Sequence, residues 1–202
     1  SRIATIKKKK IYMEYFVLPE SRPGAEGLMN KAEKYLEFYT SIFGTYPWKN
    51  EKFGIVQTPY LGMEHQTIIA YGNNYKETKM GYDKLLLHEM GHEWWGNFLS
   101  ISDWSDFWIP EGFTTYAEAL YIEQNFGMSA YHAFMENTCR KNILNSRPLV
   151  PNQNATTDQI KGSDFYYKGA YVLHMLRYLV GYDVLIQTFR EYLYTPKPNN
   201  NQ

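Results

Sequence analysis

His88 and His92 stand four residues apart in the run Leu85-Leu86-Leu87-His88-Glu89-Met90-Gly91-His92. On a helix that spacing puts both imidazoles on one face, one turn apart. Two imidazoles so placed can hold one small divalent cation. Glu89, next to His88, projects near the same face and can reach a water on that cation. A catalytic centre of this kind keeps three protein ligands and one open position. Glu111 follows His92 with 18 residues between them and is the candidate third ligand. A helix, a loop and an antiparallel helix of this length would return its carboxylate to the imidazoles. Two His and one Glu suit zinc best, one ion per chain, although ligand type also admits cobalt or manganese. Glu118, seven residues beyond Glu111, could accept a hydrogen bond from a ligand imidazole and fix its tautomer. Asp103 or Asp106 could do so instead. The bland reading is two surface histidines on an amphipathic helix. The apolar flank before His88 and the downstream Glu111 weigh against it.

The rest of the composition bounds what surrounds these residues. The 202 residues carry 21 basic and 21 acidic side chains, a formal charge of zero. No charge surplus is available for nucleic acid or an anionic membrane. No apolar run approaches the ~20 residues of a membrane span. Hydrophobic residues make up 44%, enough for a real core. The only cysteine, Cys139, excludes an intrachain disulfide and a cysteine-based zinc ribbon, and reads as a buried thiol. Aromatics reach 17%, which implies either thick aromatic packing or a sugar- or peptide-binding surface. The start at Ser1 and the Asn-rich end suggest a piece of something longer, so no compartment is assigned.

Periodicity gives the elements that must position the candidates. Lys7–Lys10 reads as a solvated strand edge, and Ile11–Leu18 as a strand. Arg22-Pro23-Gly24 opens a helix with apolar residues at three- and four-residue spacing from Ala25 to Phe43. Phe53–Thr58 and Gln66–Tyr71 read as strands around a turn at Pro59–Gly62. Beyond Tyr82 the pattern is helical: Asp83–Phe98, Pro110–Gly127, a helix capped by Ser129, one capped by Ser163 or Asp164 and ending at Val180, and one capped by Asp183 and ending at Tyr194. A loop rich in Pro, Asn and Thr spans Arg147–Thr157. The order predicts a single α+β domain over 1–202, with a β-rich part with one helix at about 1–75 and a helical part at about 82–195, rather than an alternating βαβ sheet. His132 and His174 have no partner at ligand spacing and read as structural.

Three spaced motifs give the chain a family resemblance. His88-Glu89-x-x-His92, 18 residues and Glu111 form the zinc signature of the gluzincins. Leu61-Gly62-Met63-Glu64-His65 resembles the Gly-Ala-Met-Glu-Asn exopeptidase motif of the zinc aminopeptidases of the aminopeptidase N and leukotriene hydrolase type. Tyr166-Tyr167-Lys168-Gly169 resembles their Tyr-x-Lys-Gly segment, and His92-Glu93-Trp94-Trp95-Gly96-Asn97 their sequence after the second ligand. The chain departs from the family at His65 and Pro110, where Asn is usual, and at Gly62, where Ala is usual. The resemblance implies a thermolysin-like catalytic domain cut from a multidomain enzyme whose flanking domains lie outside this sequence. It implies zinc on His88, His92 and Glu111, with Glu89 as general base. Tyr166 would donate to the oxyanion, with Tyr167 as the competing choice. Glu64 would hold a substrate's free α-amine, and the backbone of Gly62 and Met63 would pair with the peptide. The implied activity is removal of N-terminal residues from peptides. Alternatives are a thermolysin-type endopeptidase, which Glu64 argues against, and a zinc-binding domain inactive as an isolated piece.

Overall fold

The longest helix, α1 (Arg22–Phe43), shows how the sheet and the helical part are joined. Its apolar stripe, including Leu28, Ala32, Leu36, Tyr39 and Phe43, is buried, as a 3.6-residue repeat requires. In this computed structural model, which describes residues 1–195, α1 connects two parallel strands, β2 (Lys9–Phe16) and β3 (Phe53–Gln57). The sheet also holds β1 (Arg2–Ile6), β4 (Gly62–Met63) and β5 (Ile68–Tyr71), in the order β1-β2-β3-β5-β4. β1 pairs antiparallel with β2, β3 parallel with β5, and β4 antiparallel with β5. The sheet is therefore mixed, and β2-α1-β3 is a parallel crossover inside the expected α+β class.

The basic run does not lie on a sheet edge. Lys7 and Lys8 take left-handed φ values of 44° and 66° and form the two-residue turn between β1 and β2. Such a turn matches the strand twist, and both lysines are exposed. β2 lies inside the sheet, between β1 and β3.

After the sheet come α2 (Lys84–Gly91), α3 (Trp108–Phe126), α4 (Met128–Phe134), α5 (Asp164–Val180) and α6 (Tyr182–Tyr194). α4 passes into a π-helical turn at Met135–Cys139. Neither Ser129 nor Asp183 caps a helix. Gly127 and Gly181, with φ of 86° and 85°, each end one helix and begin the next. Both joints need the left-handed backbone that glycine adopts freely.

The aromatic content is mostly packing. Tyr35, Tyr39, Tyr46, Tyr71, Tyr116, Tyr131, Trp94 and Trp95 are all fully buried. Their hydroxyls find partners, as buried phenols must. Tyr39 donates to the Leu87 carbonyl at 2.6 Å, and the Tyr35 hydroxyl accepts from the Asp83 amide at 3.0 Å. Asp83 caps α2 through the Leu86 amide at 3.1 Å and accepts from Tyr71 and Asn73 as well. These bonds fasten the start of α2 to β5.

α3 and α5 cross at two glycines. A Cβ built on Gly112 would lie 3.0 Å from the Gly169 Cα, and one on Gly169 3.0 Å from the Gly112 Cα. Gly112→Ala is expected to destabilise the fold by about 1–3 kcal/mol, the range for overpacking. Denaturant unfolding of the two proteins, with an unchanged m-value, measures it.

Candidate metal centre

α2 is shorter than its apolar pattern suggests. It ends at Gly91, so His92 is its C-cap, with φ −63° and ψ −20°. A Cβ on Gly91 would come within 2.8 Å of the Thr114 methyl and 2.9 Å of the Tyr39 hydroxyl. The glycine lets α2 lie against both α1 and α3. His88 and His92 remain one turn apart, with ring centroids at 4.9 Å.

Three donor atoms converge between α2 and α3. His88 Nε2 lies 3.2 Å from His92 Nε2 and 3.2 Å from Glu111 Oε2, and His92 Nε2 lies 3.4 Å from Glu111 Oε2. Donors about 2.0–2.1 Å from a tetrahedral cation stand about 3.3 Å apart. The far sides of both imidazoles face acceptors. His88 Nδ1–H donates to Glu118 Oε1 at 2.7 Å, and His92 Nδ1–H donates to the Trp95 carbonyl at 2.9 Å. In the neutral rings both Nε2 lone pairs then point into the same gap, which fits a cation and fixes both tautomers.

Charge at the centre is tightly balanced. Burial would keep His88 neutral, but Glu111 and Glu118 pull the other way and push it up to about 10. A cation in the gap competes with that proton, so metal binding should release protons. Burial works against ionising Glu111, yet His92 and His88 hold its carboxyl well below the usual range. Burial pushes Glu89 up to about 7; His88 and His92 oppose the rise, while Glu64 and Glu111 add to it.

Glu118, on α3, sits 1% exposed behind His88 and was one of three carboxylates that could have oriented a ligand. Asp103 does other work: it accepts from the amides of Ser105, Asn154 and Ala155 and ties down the loop before α5. No described hydrogen bond links Asp106 to either imidazole. Glu118→Gln is expected to weaken metal binding about 10–100-fold while the fold survives. Competition with a chelator, read by metal content, checks this.

The other candidates gather around the triad. The Glu64 carboxylate, the Glu89 carboxylate and a His92 ring nitrogen each present an atom within 4.8 Å of the other two. The Tyr166 ring centroid is 5.9 Å from that of His88. Burial first, then the nearby Glu111 carboxylate, hold the Tyr166 phenol above its ordinary pKa and therefore protonated. Tyr167 points toward the same cavity as Tyr166, partly buried against the core. Gly62 sits against Glu89: a Cβ there would be 2.7 Å from Glu89 Oε1. The glycine in place of alanine lets that carboxylate approach the strand. Gly62 and Met63 form the sheet edge, so their outer backbone groups are free to pair with an added strand. His65 is exposed, and its carbonyl closes the turn into β5 by accepting from the Ile68 amide. His174 receives a buried contact from the Tyr131 hydroxyl at 2.7 Å, away from the triad, and Cys139 is buried with its thiol pushed up to about 12 by desolvation.

Two positioning residues escaped sequence reasoning. Asn97 Nδ2 donates to the Glu64 carbonyl at 2.8 Å, and the Thr67 amide donates to buried Glu93 Oε1 at 2.8 Å. Both hold the Glu64 loop against the end of α2. Their signal was present in the matching run after His92, but not their partners.

Two imidazoles four residues apart and a carboxylate from the next helix make a donor set of the kind a mononuclear metallopeptidase uses, with a further carboxylate, Glu89, beside it. Residues 28–202 match the peptidase family M1 domain, and the chain belongs to that family. It is 26% identical over 190 residues to endoplasmic reticulum aminopeptidase 2 of Bos taurus, covering 83% of this chain and 19% of that protein. A crystal structure of the M1 zinc metallopeptidase from Deinococcus radiodurans superposes with a TM-score of 0.76 at 25% identity, covering 98% of this chain and 45% of that one. Native leukotriene A4 hydrolase from Saccharomyces cerevisiae shares the fold at a TM-score of 0.74 and 23% identity, covering 95% and 32%. The chain thus spans about a fifth of the bovine relative's length. The family implies zinc as the metal.

Proposed function

We propose that this chain carries the catalytic centre of a zinc aminopeptidase, with one ion per chain on His88, His92 and Glu111. The observation that carries the reading is Glu64, whose carboxylate reaches the Glu89 and His92 side of the triad. A substrate's free α-amine is a cation, and a carboxylate at that distance binds it while an internal peptide bond offers nothing in return. Membership of a peptidase family supports the hydrolytic part of the reading.

When bound, zinc would supply Lewis acidity toward the scissile carbonyl and toward a water. The protein's own groups do the rest. Glu89 takes the water's proton and passes it to the leaving amine. Tyr166 donates its phenolic hydrogen to the oxygen that gains charge, and its raised pKa keeps that hydrogen in place. Gly62 and Met63 align the peptide as an extra strand along the sheet edge. Flanking domains of a larger enzyme would complete the walls of the site.

An aminoacyl anilide and its N-acetylated form test the assignment. The acetylated compound should be cleaved at least ~30-fold less efficiently, the loss expected when a partly buried carboxylate faces no cation. Equal kcat/KM for the two would overturn the exopeptidase reading and favour an endopeptidase.

A further inference from the structure

The triad stands between two cavities. One, about 270 Å³, is bordered by Glu64, Asn97, Phe107 and Pro110. The other, about 530 Å³, is bordered by His88 and Glu89 together with Leu61, Gly62, Lys76 and Lys84. The edge strand and the residues on either side of it lead from the first to the second, since Glu64 after the strand borders one, and Gly62 in it and Leu61 before it border the other. A peptide whose amine rests on Glu64 therefore has its leaving portion in the larger cavity. That volume falls within the ~300–1,000 Å³ of small-ligand sites.

The wall of the larger cavity carries two lysines, Lys76 and Lys84, and three carboxylates, Glu77, Glu89 and Glu118. Two of its three acids are already engaged, Glu77 with Lys31 at 2.5 Å and Glu118 with His88 at 2.7 Å, and the third, Glu89, lies on the side of the triad. Lys84 Nζ lies 3.7 Å from Glu118 Oε2, an ion pair longer than a hydrogen bond, and its side chain is 43% exposed. An ammonium has three donors, so Lys84 retains capacity for another acceptor. Lys76 has no acidic partner among the described residues.

We propose that Lys84, assisted by Lys76, selects peptides whose leaving portion carries a carboxylate close to the scissile bond. The carboxylate can be the C-terminus of a dipeptide or an acidic side chain on the residue after the cut. The proposal rests on the aminopeptidase reading, which fixes the direction of the peptide. Glu64 and Lys84 then form the two poles of a site suited to short zwitterionic peptides. Lys84 is a specificity residue in this account, separate from the proton-transfer apparatus.

Calorimetric binding to the zinc-loaded protein in a Glu89→Gln background tests it without hydrolysis. The probes are alanyl-alanine, its C-terminal amide, its N-acetyl form, alanyl-glutamate amide and alanyl-glutamine amide. Alanyl-alanine should bind about fivefold more tightly than its amide. Lys84→Gln should bring that ratio close to one, and Lys76→Gln should lower it in part, with metal content reporting an intact centre in both. A preference within the glutamate–glutamine pair supports the proposal with a side chain as the source; one within the alanyl-alanine pair supports it with the C-terminus. Equal affinities within both pairs, a ratio that survives both lysine substitutions, or no binding of any probe would overturn it. Loss of binding on amidation but not on N-acetylation would instead strike at the role of Glu64, so the two ideas fail separately.

Discussion

Glu89→Gln is expected to leave the metal in place and to lower kcat by about 10²–10⁴. The amide keeps the size and polarity of the carboxylate, and none of the three converging donors belongs to residue 89. What it cannot do is accept a proton. Glu89 is 7% exposed, and burial has already raised its affinity for one. A buried carboxylate with a raised pKa is a better base than an exposed one, so its removal should weigh on the chemical step more than on KM. Metal analysis and steady-state kinetics on the same preparation make the check. Near-native kcat with full metal content would remove Glu89 from the mechanism.

His88→Ala is expected to abolish metal binding and activity together. Of the three proposed ligands, His88 alone lies within hydrogen-bond distance of both another of them and Glu118. Its loss opens one corner of the triad and leaves the Glu118 carboxylate buried without a donor at 2.7 Å. Metal affinity should therefore fall by more than the ~10–100-fold expected for an outer partner alone. The loss also has a stability signature. A ligand present at 100 times its dissociation constant stabilises the folded state by about 2.7 kcal/mol. Chelation should lower the Tm of the natural protein and leave that of His88→Ala unmoved. A chelator-sensitive Tm in the variant would show that the metal sits elsewhere.

The convergence of the three proposed ligands could be anticipated from sequence because they lie on helices or at a helix end, where spacing fixes direction. His88, His92 and Glu111 converge as a four-residue repeat and an antiparallel return predict. Glu118 was visible for the same reason, although choosing it over Asp103 required knowing where the Asn154 and Ala155 amides lie. The partner of His92 could not be foreseen, because it is the Trp95 backbone carbonyl and every residue has one. The overlong reading of α2 has a related cause. Trp94 and Trp95 look like more of the helix's apolar face, but both are buried from a turn that folds back on itself, with Gly96 at φ 129°. β1 and its turn were missed because Lys7-Lys8 lacks the Asn or Gly that usually marks a left-handed turn. The parallel crossover around α1 is a long-range pairing, which local periodicity does not encode.

The crossing of α3 and α5 at Gly112 and Gly169 ties two functions to one dimension. Glu111 immediately precedes the first glycine, and Tyr166 stands less than a turn before the second. The spacing between the proposed metal ligand and the proposed oxyanion donor is thus set where the two backbones touch. A side chain inserted there would act as a shim, pushing both groups apart at once. Misplacement by about 1 Å can cost on the order of 10²-fold in rate, while the same shim costs the fold only a few kcal/mol. Variation at this crossing should therefore register as failed chemistry in molecules that are still folded.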